Sequence, residues 1–118
     1  MAIHTNLPIY KVAYDLFSHV TQITRNMPRD FRLSVGGEIR AECVKLMVLI
    51  FRANSATDKI PHLGALIERL QVVELLLRLS RDMRFISTAQ YARAVELTSS
   101  VGKQASGWRK HSASSPVT

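Results

Sequence analysis

The chain has 118 residues, 16 Lys and Arg against 9 Asp and Glu, a formal net charge of +7, and 47% hydrophobic residues. That length makes a single domain able to bury a real core, and so much apolar surface excludes a wholly disordered basic tail. The single cysteine, Cys43, excludes an internal disulfide and any multi-cysteine zinc site, and it fits a reducing compartment.

Aromatics at 7%, with 5 Gly and 4 Pro, lean the chain towards helix, since sheet-rich folds carry more aromatic, β-branched and turn-forming residues. Met1-Ala2-Ile3-His4 lacks the basic start and apolar stretch of a secretory signal. No apolar run approaches the roughly 20 residues of a membrane span. A soluble, cytoplasmic, basic helical domain is the expectation.

Four amphipathic segments follow in chain order. The first covers about residues 8–25, where Ile9, Val12, Ala13, Leu16, Phe17, Val20 and Ile23 recur at spacings of three and four and line one helix face. Pro8 suits the first turn, and Pro28 closes the helix by disfavouring helical geometry at Met27. The second is predicted over residues 31–53, with Leu33, Ile39, Cys43, Leu46, Met47 and Ile50 on its stripe. Gly36-Gly37 inside it costs helix stability. It reads either as a frayed first turn or as close backbone contact with a neighbouring helix.

Residues 54–58 form a polar loop, after which Asp58 can cap a third helix running to about residue 84, with Pro61 in its first turn. Ser87-Thr88-Ala89-Gln90 is a capping-box pattern opening the fourth helix. There Tyr91, Ala94, Val95, Thr98, Val101, Ala105 and Trp108 mark the inner face. Residues 1–6 read as a short arm, 7–110 as the bundle, and 111–118 as a disordered Ser/Ala/Pro-rich tail. Short connections favour antiparallel neighbours, so the fold class is all-α: an up-down-up-down four-helix bundle.

The second and third helices are greasier than one core needs. The runs at residues 43–51 and 72–79 are apolar around most of the helix, and monomers rarely leave so large a patch in water. Burial of the extra faces between protomers is expected.

Catalytic candidates are sparse. His4, His19, His62 and His111 include no i, i+4 pair, and no HExxH, EF-hand, P-loop or Glu-x-x-His repeat occurs. Cys43 reads as a packed structural thiol. Neither an enzyme nor a metal or other cofactor is expected. The arginines say more. Arg78, Arg81 and Arg84 recur every three residues late in the third helix, and Arg25, Arg29 and Arg32 cluster at the first connection. Helical spacing pairs Glu74 with Arg78 and Arg78 with Asp82, yet a basic excess survives the pairing. An oligomer multiplies that excess, which should attract nucleic acid through its phosphates with strong salt dependence. No RNP motif, zinc finger or helix-turn-helix suggests readout of bases.

Leu7-Pro8-Ile9-Tyr10, Pro28-Arg29-Asp30-Phe31-Arg32-Leu33, Val35-Gly36-Gly37-Glu38-Ile39, Ala53-Asn54, Leu75-Leu76-Leu77-Arg78-Leu79, Ile86-Ser87-Thr88-Ala89-Gln90-Tyr91 and Val101-Gly102 through Ser106-Gly107-Trp108 occur in order. Together they resemble the accessory variability determinant (Avd) proteins of diversity-generating retroelements. These sit in a wider four-helix group that includes the products of intervening sequences in 23S ribosomal RNA genes. The resemblance spans about residues 7–110 and departs from many relatives in Ala105-Ser106-Gly107-Trp108, where a Gly-Gly-Trp is common. It implies a homopentameric basic barrel, a non-catalytic partner of the element's reverse transcriptase that binds RNA and DNA during mutagenic copying of template RNA into cDNA. By position it assigns polymerase and nucleic-acid contact to Arg78, then Arg81 and Arg84, with Arg69, Arg52 and Lys45 as supporting phosphate contacts. The alternative within the same group is a stand-alone RNA-associated bundle of the intervening-sequence type, with no polymerase partner.

Overall fold

The computed structural model describes residues 3–114, and among them every regular element is helical. A 3-10 turn at His4–Asn6 precedes α1 (Pro8–Arg25), α2 (Arg29–Leu33), α3 (Val35–Ser55), α4 (Ile60–Asp82) and α5 (Thr88–Ser114). The four long helices form a rod of 51 × 20 × 19 Å. Around the ring, α1 packs on α3, α3 on α4, α4 on α5 and α5 back on α1. Contacts between opposite ends of neighbours make them antiparallel. Late in α1, His19 Nε2 lies 2.9 Å from the Gln90 carbonyl early in α5. Late in α4, the Arg81 guanidinium lies over the Tyr91 ring at 4.5 Å. Within the protomer, the predicted up-down-up-down bundle is what forms.

Residues of the predicted stripes turn inward, with Leu16, Val20, Ile39, Leu46, Ile50, Ala94, Val101 and Ala105 fully buried, and Leu63, Leu66 and Val73 of α4, for which spacing named no stripe, complete the core. Such side chains each contribute roughly 1.5–3 kcal/mol when buried, and the spacing of three and four concentrates them on the axis of the ring. Pro8 and Pro61 sit in the first turns of α1 and α4, where the missing N–H costs no hydrogen bond. At the head of α5 the capping box is complete. Gln90 Oε1 accepts the Ser87 N–H at 2.9 Å, and Ser87 Oγ accepts the Gln90 N–H at 3.0 Å. Asp58 acts one residue early, with its Oδ1 accepting the Ile60 N–H at 3.3 Å. Lys59 closes the preceding helix by donating to the Ala53, Asn54 and Ala56 carbonyls at 2.9, 3.2 and 2.9 Å.

Three boundaries differ from the sequence expectation. The second predicted helix is broken at Ser34 (φ −86°, ψ −82°) into α2 and α3, and Leu33, placed on its inner stripe, is exposed. The break lets α3 approach α1 closely at Gly36, where a Cβ would stand 3.2 Å from Thr24 Cβ and 3.4 Å from Met27 Sδ. Gly36 therefore marks a close approach, and the frayed-turn reading fails there. The third helix ends at Asp82, before Arg84. The fourth extends through Ser114, so residues 111–114 of the expected disordered tail are helical, since no proline or glycine follows Gly107 until Pro116. Residues 1–2 of the expected arm and 115–118 of the expected tail lie outside the described residues. On α5, Val95 is 38% exposed instead of facing the core.

Candidate functional site

Arg78, Arg81 and Arg84 do not form one helical stripe. Three residues advance an α-helix by about 300°, so Arg81 is displaced around α4 from Arg78. Arg84 lies beyond the helix in the left-handed conformation, at φ 62°. There the chain closes α4 with a Schellman turn: the Arg84 N–H donates to the Arg81 carbonyl at 2.9 Å and the Phe85 N–H to the Ser80 carbonyl at 2.8 Å.

The pairing of Glu74 with Arg78 and Arg78 with Asp82 is not formed. Asp82 Oδ1 instead accepts Arg81 Nη2 at 2.8 Å and Nε at 3.1 Å. Tyr91 beneath the Arg81 guanidinium holds it folded back onto Asp82. The hydrogen bond that Arg81 donates to Asp82 pushes the Arg81 pKa further up, so that charge is permanent but locally matched. Arg78 and Arg84 have no side-chain hydrogen bond or ion pair among the described residues, and both are exposed.

Lys45, Arg52 and Arg69 lie elsewhere, along a groove of about 360 Å³ between α3 and α4 floored by Val44, Val48, Leu49 and Ala65. Lys45 Nζ is 3.0 Å and Arg69 Nη1 3.5 Å from the same Glu42 Oε1. The Glu42 carboxylate is buried, and its other oxygen, Oε2, has no hydrogen-bond partner among the described residues. Both cations therefore neutralise an internal carboxylate as they face outward. Arg52 is exposed without such a tie. Glu42 is a residue that periodicity could not single out, because a glutamate on an apolar run looks like a solvent-facing break in it.

Beside Glu42, Cys43 is wholly buried, and desolvation, with a smaller push from the neighbouring carboxylate, raises its thiol pKa to about 12. A thiol held protonated in the core is packing material. Among the described residues no group of three or more His, Cys, Asp or Glu is placed to hold a metal ion. No helix among them is long and apolar enough to cross a membrane.

Two exposed apolar stripes repeat at about one helical turn. Val44, Val48 and Phe51 run along α3 beside Tyr14 of α1, and Leu75 and Leu79 run along α4 towards Met83 just past its end, with Arg78 between the two leucines. These are outward faces of the two apolar runs singled out in the sequence. Each stripe combines hydrophobic area with an arginine, Arg52 on α3 and Arg78 on α4, the residue mix enriched at protein interfaces.

A family model described as bAvd-like matches residues 7–112 of the chain. No curated protein matches it.

Proposed function

Because the chain belongs to the bAvd-like family, the Avd type of four-helix protein, we propose that it is a non-catalytic accessory subunit of a diversity-generating retroelement. In this reading it assembles into a homo-oligomeric, pentameric barrel in the cytoplasm. The assembly binds the element's reverse transcriptase and, through phosphate contacts, its template RNA and cDNA. The observation that carries the reading is the family match over nearly the whole chain. Arg78 gives it a place: an exposed guanidinium without a side-chain partner, between Leu75 at 57% and Leu79 at 48% exposure. A desolvated arginine amid aliphatic side chains is a common anchor of protein interfaces. The exposed apolar stripes of α3 and α4 are the kind of surface that association of protomers would cover, which supports this part of the reading.

Co-purification of the tagged chain with the reverse transcriptase from a host carrying the element tests this. Arg78→Ala is expected to weaken polymerase recovery while leaving helical content and melting temperature unchanged. Undiminished recovery would sink the assignment of Arg78. Recovery of RNA with no polymerase, even for the wild type, would favour a stand-alone RNA-associated bundle.

A further inference from the structure

The connections at one pole of the rod, residues 26–34 and 83–87, pack on each other. Phe31 and Phe85 stack with ring centroids 4.2 Å apart and planes inclined by 22°. Asn26, Arg81, Arg84 and Phe85 line a common cleft of about 660 Å³. The fold thus merges two arginine groups that are 49 or more positions apart in the sequence: Arg25, Arg29 and Arg32 on one side, Arg81 and Arg84 on the other. The carboxylates at this pole are Asp30, Glu38 and Asp82, and Asp82 is already taken by Arg81. Arg25, Arg29 and Arg84 have no side-chain partner among the described residues, while Arg32 reaches only the Arg25 carbonyl, at 3.4 Å. Phe31, covered by Phe85 on one face, stays 39% exposed.

We propose that this pole is a docking site for a single nucleic-acid strand, with an unstacked base on Phe31 and the adjoining phosphates on Arg29, Arg32 and Arg84. Phosphate attraction alone does not distinguish a strand from a duplex, because both carry the charge. An exposed ring does: a single strand can turn a base onto it, whereas a duplex keeps its bases stacked inside. Guanidiniums suit the flanking positions, since they bind phosphate in a bidentate way and lie flat against bases. An acidic peptide would satisfy the arginines yet make no special use of the aromatic pair. The site deepens the nucleic-acid part of the proposed function and rests on it.

The test is fluorescence anisotropy of the full chain with a mixed-sequence RNA of roughly 12 nucleotides, the DNA strand of the same sequence, and the corresponding DNA duplex. The wild type is expected to bind the strands several-fold more tightly than the duplex. Phe31→Leu, which keeps an apolar contact with Phe85 but has no ring face, should lose about tenfold on the strands and nothing on the duplex. Phe31→Trp should recover or exceed wild-type strand binding. The double variant Arg29→Gln/Arg32→Gln should flatten the salt dependence by roughly 0.7 in log–log slope for each lost phosphate contact. Tighter binding of RNA assigns the pole to the template and tighter binding of DNA to the cDNA; either one, with the loss in Phe31→Leu, supports the proposal. A wild type that prefers the duplex, or strand binding unmoved in Phe31→Leu while the melting temperature is retained, overturns the pole assignment alone. Failure of the wild type to bind any probe at low salt overturns both this site and the nucleic-acid reading beneath it.

Discussion

The Arg84 N–H donates to the Arg81 carbonyl at 2.9 Å, and to make that bond Arg84 adopts φ 62°, where glycine is the usual residue. A side chain in this region costs of order 1–3 kcal/mol, part of which glycine would return as chain entropy in the unfolded state. Arg84→Gly is therefore expected to stabilise the bundle by about 1 kcal/mol, raising the melting temperature by several degrees. The same substitution should weaken binding to single-stranded RNA, because it removes an exposed charge. Thermal melts and a binding titration on one preparation check both halves. An arginine that lowers stability and raises affinity marks a position held for binding.

Gly36 and Gly37 are neighbours, yet alanine should act on them with opposite sign. At Gly37 the added methyl meets only Arg40 Nη2, at 3.7 Å, so Gly37→Ala gains helix propensity of about 0.5–1 kcal/mol. At Gly36 it meets Thr24 Cβ at 3.2 Å. Thr24 is buried, its hydroxyl donating to the Val20 carbonyl at 2.6 Å and accepting from Arg40 at 2.7 Å, so it cannot step aside. Gly36→Ala is expected to cost about 1 kcal/mol net in a urea melt.

The same contrast separates what the sequence discloses from what it hides. Apolar spacing discloses the ring of helices because each stripe has only one buried destination, and the Ser87–Gln90 box is visible because both partners are local. Leu33 is misplaced because the helical period runs unbroken through Ser34, while the kink there serves a tertiary contact, that of Gly36 on Thr24. Arg78 is misread as paired because spacing offers it Asp82, whereas that carboxylate goes to Arg81, which also lies over the Tyr91 ring of another helix. The pole is invisible for the same reason. Phe31 and Phe85 lie 54 positions apart and look like separate loop residues until the bundle closes.

Lys45, Arg69 and Arg52 read alike in the sequence and should behave differently. Lys45 and Arg69 share Glu42 Oε1, and their side chains are 54% and 36% exposed, so solvent screens each pair. Losing one cation should cost about 1 kcal/mol, as the carboxylate keeps the other. The double variant Lys45→Met/Arg69→Met should cost more than the sum, because it strands a buried charge. Arg52→Met should change stability by no more than about 0.5 kcal/mol. A double-mutant cycle from urea melts measures the coupling, and strict additivity would show that the two cations act on Glu42 independently, neither covering for the loss of the other.

Cys43 makes stability depend on alkaline pH. Its thiol titrates near 9.0 when unfolded and near 12 when buried. Below pH 9 both states keep the proton and the thiol adds no pH dependence. Between these values the unfolded chain loses a proton that the native core retains. Stability should therefore fall with rising pH, by at most about 1.4 kcal/mol per unit. The informative quantity is the difference between the wild type and a variant that lacks the thiol. Cys43→Ala creates a small cavity with a cost independent of pH, and it should remove this part of the alkaline slope. Melts of both proteins from pH 8 to about pH 11 are expected to converge as pH rises. Parallel curves would mean that the native thiol ionises as readily as an unfolded one, contrary to its burial beside Glu42.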